Sequence, residues 1–287
     1  MLGRAAQSRY RTAEPAGEAR EQGVDNPSDT APAVCHAAPM DLDIATMAER
    51  PDRRQLWDRL DGFWPRFMTE DATGGFYYGY LTEHFAEHCL LALDAGTGEP
   101  VAKAHSVPLS HGDDIPGRLP EDGWDWAIRR SVHDRLRGAE PVIASALEIL
   151  IRPDVRGGGL SARMLSAIRD NVAKLGFRDL IAPVRPTGKH AETDTPIDRY
   201  AYATRDDGLP VDPWLRVHVR AGARIVNVAH SSMVITGTLD RWREWTGLPF
   251  DVSGPVAVPH ALVPVHCDVA QNQAVYVEPN VWVHHRV

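Results

Sequence analysis

Up to about residue 40 the apolar positions follow no period. The stretch is rich in Ala, Glu, Arg, Pro and Gly, holds no Phe, Trp or Ile, and has Tyr10 as its one aromatic residue. Such a segment cannot bury enough surface to fold and reads as a mobile tail over 1–40. From about Met40 the pattern becomes regular. "LDIATM" reads as a short strand, and in "RRQLWDRLDGFWPRFM" the residues Leu56, Leu60, Phe63, Trp64 and Phe67 recur at helical spacing. "YYGYLTEHFAEH" reads as a second, short helix, and "CLLALDAGTGEPVAKAHSVPL" as two strands joined by a glycine-rich turn, a hairpin. Residues 110–140 are mostly polar, with helical periodicity in "DWAIRRSVHDRL". "VIASALEILI" is a near-continuous apolar run, as a strand covered on both faces requires. After a run of glycines, Leu160, Met164, Ile168, Val172 and Leu175 recur at steps of three and four up to Gly176, a helix with one buried stripe. "RDLIAPV" is the next strand, so strand, glycine turn, helix and strand form a βαβ unit.

Beyond this unit residues 185–213 are long and polar, "WLRVHVRAGAR" reads as a helix, and "SSMVIT" and "AVYVEPNVWVHH" read as strands. There is no internal repeat. The simplest packing is an α/β fold with a mixed sheet and helices on both faces, in one domain over 41–287 with insertions at 110–140 and 185–213.

Composition narrows the classes. A chain of 287 residues with 43% hydrophobic content can build a proper core. The net charge of -8, with no block of Lys and Arg long enough to follow phosphates, argues against a nucleic-acid surface. Cys35, Cys89 and Cys267 lie far apart and never in a Cys-x-x-Cys spacing, which suggests neither a disulfide framework nor a zinc knuckle, and a reducing cytoplasm suits them. No apolar run approaches the length of a membrane span and the first residues lack a signal-peptide core, so no membrane association is expected.

The stretch "EILIRPDVRGGGLSARML" carries the chemistry. Three consecutive glycines weaken any element they occupy, so their use is a turn whose bare backbone approaches something closely. From Arg156 to Ser161 free backbone N–H groups stand at the positive end of the following helix, which makes an anion site, and phosphate is the usual anion. The dinucleotide fingerprint lacks its third glycine here, and a P-loop would need a Lys that is absent. The pattern that fits is Arg-x-x-Gly-x-Gly/Ala, as Arg156-Gly157-Gly158-Gly159-Leu160-Ser161, with Ser161 where Gly or Ala is usual. It resembles the acetyl-CoA motif of the GNAT acyltransferases, and "LRVHVRAGARI" looks like a helix end of that family, so the resemblance spans about residues 40–236.

The resemblance implies a mixed, mostly antiparallel central sheet with helices on both faces. It implies acetyl-CoA, or a related acyl-CoA, as co-substrate: pyrophosphate on the amides of Arg156, Gly157, Gly158, Gly159, Leu160 and Ser161, and the pantetheine arm along Ile149, Leu150 and Ile151. The activity implied is transfer of an acetyl group to an amine of a small molecule by direct attack in a ternary complex. A CoA-binding regulatory module without catalysis is the alternative from another class, and pairing of two copies of the chain stays open.

Acyl transfer to an amine needs a base for the amine proton and stabilisation of the leaving thiolate. Glu148 lies within the apolar strand beside the proposed cofactor, where burial would make it a base; it serves equally as a structural partner of one of the arginines. Aligning Gly222 with the family's glycine puts His218 where a tyrosine often protonates the thiolate, though a lone His on a helix is commonly a packed residue. Trp124, Trp126, His190, Tyr200 and Tyr202, in the two polar insertions, are candidates for the acceptor pocket or pins for the loops. A rival is His84-Phe85-Ala86-Glu87-His88, the spacing of one class of zinc peptidase, with His84, Glu87 and His88 on one helical face; no third ligand helix follows it. The later His260, His266, Cys267, His284 and His285 have no metal spacing, so no metal is expected.

Overall fold

In the computed structural model, which describes residues 40–110 and 117–287, the alternating and helical stretches of the chain build one sheet with helices on its two faces. The mobile tail expected over 1–40 lies outside the described residues apart from Met40, and so does the 111–116 part of the first insertion. In chain order the elements are β1 (Leu42–Thr46), α1 (Arg54–Asp58), α2 (Ala72–His84), β2 (Cys89–Asp94), β3 (Pro100–Leu109), α3 (Gly123–Arg137), β4 (Ile143–Ile151), α4 (Leu160–Lys174), β5 (Asp179–Val184), α5 (Ile197–Ala201), α6 (Pro213–Arg220), β6 (Arg224–Thr238), α7 (Leu239–Thr246), β7 (Gly254–Val256), β8 (Val265–Asp268) and β9 (Gln273–Arg286). The strands run in the order β1-β2-β3-β4-β5-β9-β8-β7, with β6 also paired to β9. Every pairing is antiparallel except β4 with β5.

The apolar stripes sort onto the two faces as the periods demand. Leu160, Met164, Ile168 and Val172 of α4 meet Ala144, Ala146, Leu180 and Val283 on one face, with Leu215 of α6 beside them. On the other face α2 and α3 bring Leu81, Ala127, Ile128 and Val132 against Val107, Ile143 and Trp282, and α1 brings Trp57 against Leu91 and Leu150. Leu175, read as the end of the α4 stripe, is instead exposed, because the helix ends at Lys174 before completing that turn.

Two further stretches depart from their patterns. The helical spacing of "RRQLWDRLDGFWPRFM" yields only the short α1 and two 3-10 turns, Asp61–Phe63 and Arg66–Glu70. Gly62 and Pro65 interrupt it, the first through backbone entropy and the second through its missing N–H, while Trp57, Leu60 and Phe67 are still buried. "SSMVIT" is the second half of a strand that already begins at Arg224. A register shift between Ala229 and Met233 bulges out the polar His230, Ser231 and Ser232, and this hid the strand's continuity.

What positions the site is the parting of β4 and β5. They pair only at Ala144 with Leu180 and Ser145 with Ile181, whereas β5 stays on β9 as far as Val184. Beyond Ser145, β4 therefore runs on to Ile151 beside β3 alone, leaving a fork that opens toward the glycine turn. A register shift opposite His105 and Ser106 makes Leu147 the extra residue of a bulge in β4, so that Leu147 and Glu148 both face α2 and α3.

The far side of the fork is anchored by Asp212, the N-cap of α6. Its Oδ1 accepts from Trp214 N and Leu215 N at 2.9 Å each, and its Oδ2 accepts from Gly188 N at 2.7 Å and Tyr200 OH at 3.1 Å. Replacing Asp212 by Ala removes the cap and strands two further donors, so urea unfolding of D212A is expected to show a loss of about 3 kcal/mol.

Candidate active site

The glycine turn has the geometry that its sequence demands. Gly157 has φ 91° and Gly159 φ 75°, the left-handed region where a side chain would be strained, and a Cβ on any of the three glycines would meet nothing within 4 Å. Gly159 caps α4 without a side-chain acceptor, so the first-turn amides of Leu160 and Ser161 keep their donors for an anion. Leu160 buries its side chain in the core and can contribute only its backbone; Ser161 is half-buried. Arg156 is exposed, and its Nε donates to the carbonyl of Ile151 at 3.2 Å, which ties the turn to the strand exit. Ile149, Leu150 and Ile151 form the unpaired arm of the fork, with the Ile149 and Ile151 side chains on the α4 face and Leu150 on the α1 face.

Glu148 is the centre of a polar nest on the α2 face. Its Oε1 accepts from Trp64 Nε1 and its Oε2 from Tyr78 OH, both at 2.6 Å, and Lys103 Nζ lies 3.6 Å from Oε2. The side chain is only 7% exposed. Burial, and then the neighbouring Glu148 charge, push the Tyr78 hydroxyl well above its ordinary range, so it stays a donor. His105, across the ladder from Glu148, has both ring nitrogens unpartnered; burial, and then His88 and Lys103, lower its pKa to about 3 and keep it neutral. Sequence reasoning missed Trp64, Tyr78, Lys103 and His105. Lys103 and His105 could have been found by counting alternate positions on a strand that otherwise reads as apolar.

His218 lies on the opposite face. It is buried, with Nδ1 2.9 Å from Nε2 of His285, and its own Nε2 has no partner. Burial, followed by the His285 ring, lowers its pKa to about 3. His285 pairs with Leu180, so the two imidazoles stand near the closed end of the fork. Glu148 and His218 are thus not in contact but flank the fork from the two sides of the sheet.

Of the aromatic candidates, Trp124 reaches the site: its Nε1 donates to the Leu147 carbonyl at 3.0 Å, and its ring stacks on Tyr78 with centroids 6.2 Å apart. Trp126 stands edge-on to Trp282 and lines an outer groove with Tyr77, Arg129 and His133. Tyr200 gives its hydroxyl to Asp212, and burial, then Asp212, raises its pKa. His190 is exposed with Nδ1 donating to the Thr187 carbonyl at 2.7 Å, and Tyr202 is exposed. The partners named for Trp126, Tyr200 and His190 lie outside the Glu148 nest.

The spacing from His84 to His88 does not make one helical face. α2 ends at His84, a 3-10 turn spans Ala86–His88, and His88 turns inward with Nδ1 2.9 Å from Ser106 Oγ. Burial lowers the His88 pKa to about 4. Among the described residues no group of three or more His, Cys, Asp or Glu could hold a metal, and no helix is long and apolar enough to cross a membrane.

No protein-family model matches the chain. A curated relative, arginine N-acetyltransferase avaD of Aspergillus versicolor, is 30% identical over 280 residues, which covers 87% of this chain and 95% of the relative. Among solved structures, the loading GNATL domain of CurA from Lyngbya majuscula is similar with a TM-score of 0.56 at 14% identity, over 86% of this chain and 98% of that one. The glycine turn at the mouth of a forked parallel pair, the mostly antiparallel sheet around it and a relative matched over nearly its whole length lead to one conclusion: the chain belongs to the GNAT superfamily of acyltransferases.

Proposed function

We propose that the protein transfers the acetyl group of acetyl-CoA to an amine nitrogen of arginine or a closely related guanidino compound, with both substrates bound at once. The observation that carries this reading is the fork itself, with a helix start free of a side-chain cap at its mouth and a caged carboxylate on one flank. The name of the relative supports the acceptor. Acetyl-CoA supplies an activated acyl group, and the chain supplies position, a base and hydrogen-bond donors.

The turn amides from Gly157 to Ser161 hold the diphosphate, and the unpaired edge of β4 beyond Ser145 offers strand-like hydrogen bonds to the pantetheine amides. Glu148 takes the amine proton on a carboxylate oxygen. Trp64, Tyr78 and Lys103 fix that carboxylate so that little reorganisation is needed when the proton arrives. His218 acts from the other face as a neutral donor: with His285 Nε2–H donating to His218 Nδ1, the unpartnered His218 Nε2 carries the hydrogen that steadies the departing sulfur. The unpaired, buried Cys89 and Cys267 suit a reducing compartment, and we place the reaction in the cytoplasm.

Calorimetry with acetyl-CoA tests the cofactor site. Wild type should bind, and Gly159→Glu, which strains a left-handed position and adds a negative charge beside the anion, should weaken binding by about 30-fold or more. Unchanged affinity in the variant, or no binding by wild type, rejects the assignment. A thiol-release assay with arginine tests the chemistry and separates an enzyme from a CoA-binding module. Glu148→Gln is expected to lower kcat by about two to four orders of magnitude and His218→Phe by about two, with acetyl-CoA affinity nearly unchanged.

A further inference from the structure

We propose that Asp71 and Asp125 form a subsite that holds the guanidinium group of the acceptor while its amine faces Glu148. The proposal rests on the acetyl-transfer reading above and assigns the end of the acceptor that does not react.

The two residues open α2 and α3. Asp71 caps α2 through Oδ2, which accepts from Gly74 N at 2.6 Å, while its Oδ1 has no partner. Asp125 sits in the first turn of α3, with Oδ2 3.7 Å from Arg129 Nη1, and its Oδ1 is likewise unpartnered. Both residues are at least nine-tenths buried, with 3% and 5% of their surface exposed. Thr73, beside Asp71 at the start of α2, accepts from Arg129 Nη1 at 3.5 Å. The nearest cation, Arg129, is half-exposed, and its Nη2 is bonded to Asp122 at 2.5 Å, so that it reaches Asp125 only at 3.7 Å.

Glu278 adds negative charge near Asp71 but is itself satisfied by Arg185 at 2.9 Å, Tyr276 at 2.8 Å and Asn280 at 3.2 Å. Burial, and then the charge of Asp71, raise the Asp125 pKa to about 7, against the opposing pull of Arg129. A buried carboxylate oxygen without a donor is costly, and such groups persist where a ligand completes them. A planar guanidinium carries five N–H donors in one plane and can offer parallel pairs of them to carboxylates, a forked geometry that the single nitrogen of an ammonium lacks.

The distance to the reacting end is spanned by one side chain. The six-membered edge of Trp124 lies beside the Asp71 cap, since a Cβ on Gly74 would come within 3.3 Å of it, and the indole Nε1 at the other edge reaches Leu147, next to Glu148. An acceptor lying along this ring has its cation at the aspartates and its amine at the nest. The length of an indole suits the short methylene chain that separates the two groups in arginine.

Arginine and citrulline, in which a neutral urea replaces the guanidinium, separate this from a structural pair. In calorimetry of the full chain with CoA present, arginine should bind at least about 30-fold more tightly than citrulline. Asp125→Asn keeps the shape and should shrink the ratio to about threefold or less, and Asp71→Asn, which can still cap α2, should do the same. Acetyl-CoA affinity, measured in parallel, confirms that each variant is folded. Equal binding of the two ligands by wild type, no binding of either, or a ratio that survives in both folded variants overturns the subsite. Failure of wild type to bind acetyl-CoA overturns instead the acetyl-transfer reading on which it rests.

Discussion

The rest of the molecule depends on a hydrogen-bond ladder that stops. Two parallel strands that share register at Ala144 and Ser145 would, by continuing, satisfy each other's backbone groups as far as Ile151. They part because β5 is committed to β9, and because the bulge at Leu147 turns β4 along a different line beside β3. The backbone groups thus freed on the β5 side of β4 have no strand partner there. The glycine turn follows from the same arrangement, since the chain leaving the free arm of β4 must reverse at once to lay α4 over the fork.

The two faces of the sheet hold their polar groups in different ways. On the α2 face Glu148 is buried with charge and hydrogen bonds around it: an indole, a phenol and an ammonium share one carboxylate. On the α4 face the polar content near the fork is the pair His218 and His285, both held neutral by burial. The fork thus has a charged flank and a neutral flank, and the two groups do not touch.

Much of the scaffold was legible along the chain. The βαβ unit, the hairpin and the glycine turn are written in local periods and in residues with special backbone freedom, and these signals do not need distant partners. The nest around Glu148 was less so, because Trp64, Tyr78 and Lys103 come from three elements whose meeting is decided by tertiary packing. Trp64 was read as part of a helix that Gly62 and Pro65 break, so its indole was credited to an apolar stripe when it donates to a carboxylate. Asp71 and Asp125 were invisible for another reason: an aspartate near a helix start is ordinary, and only the burial of its second oxygen sets it apart. His190 and Tyr202 show the converse, residues of suggestive type of which one is held by a local carbonyl and the other is exposed.

The place of β9 between β5 and β6 has a consequence for how the chain reaches its native state. The outer wall of the fork is not finished when β5 has been made, because the strand that holds β5 in its diverging line lies far downstream, after α7 and the β7–β8 hairpin. Until β9 inserts, β5 has a free edge on that side, and of the two constraints that part it from β4 the bulge at Leu147 acts alone. The outer wall of the fork is therefore complete only with the closing of a long-range ladder of high sequence separation. An early intermediate with β4, α4 and β5 in place would have the glycine turn and the helix start, yet no parted strands for an acyl chain to enter.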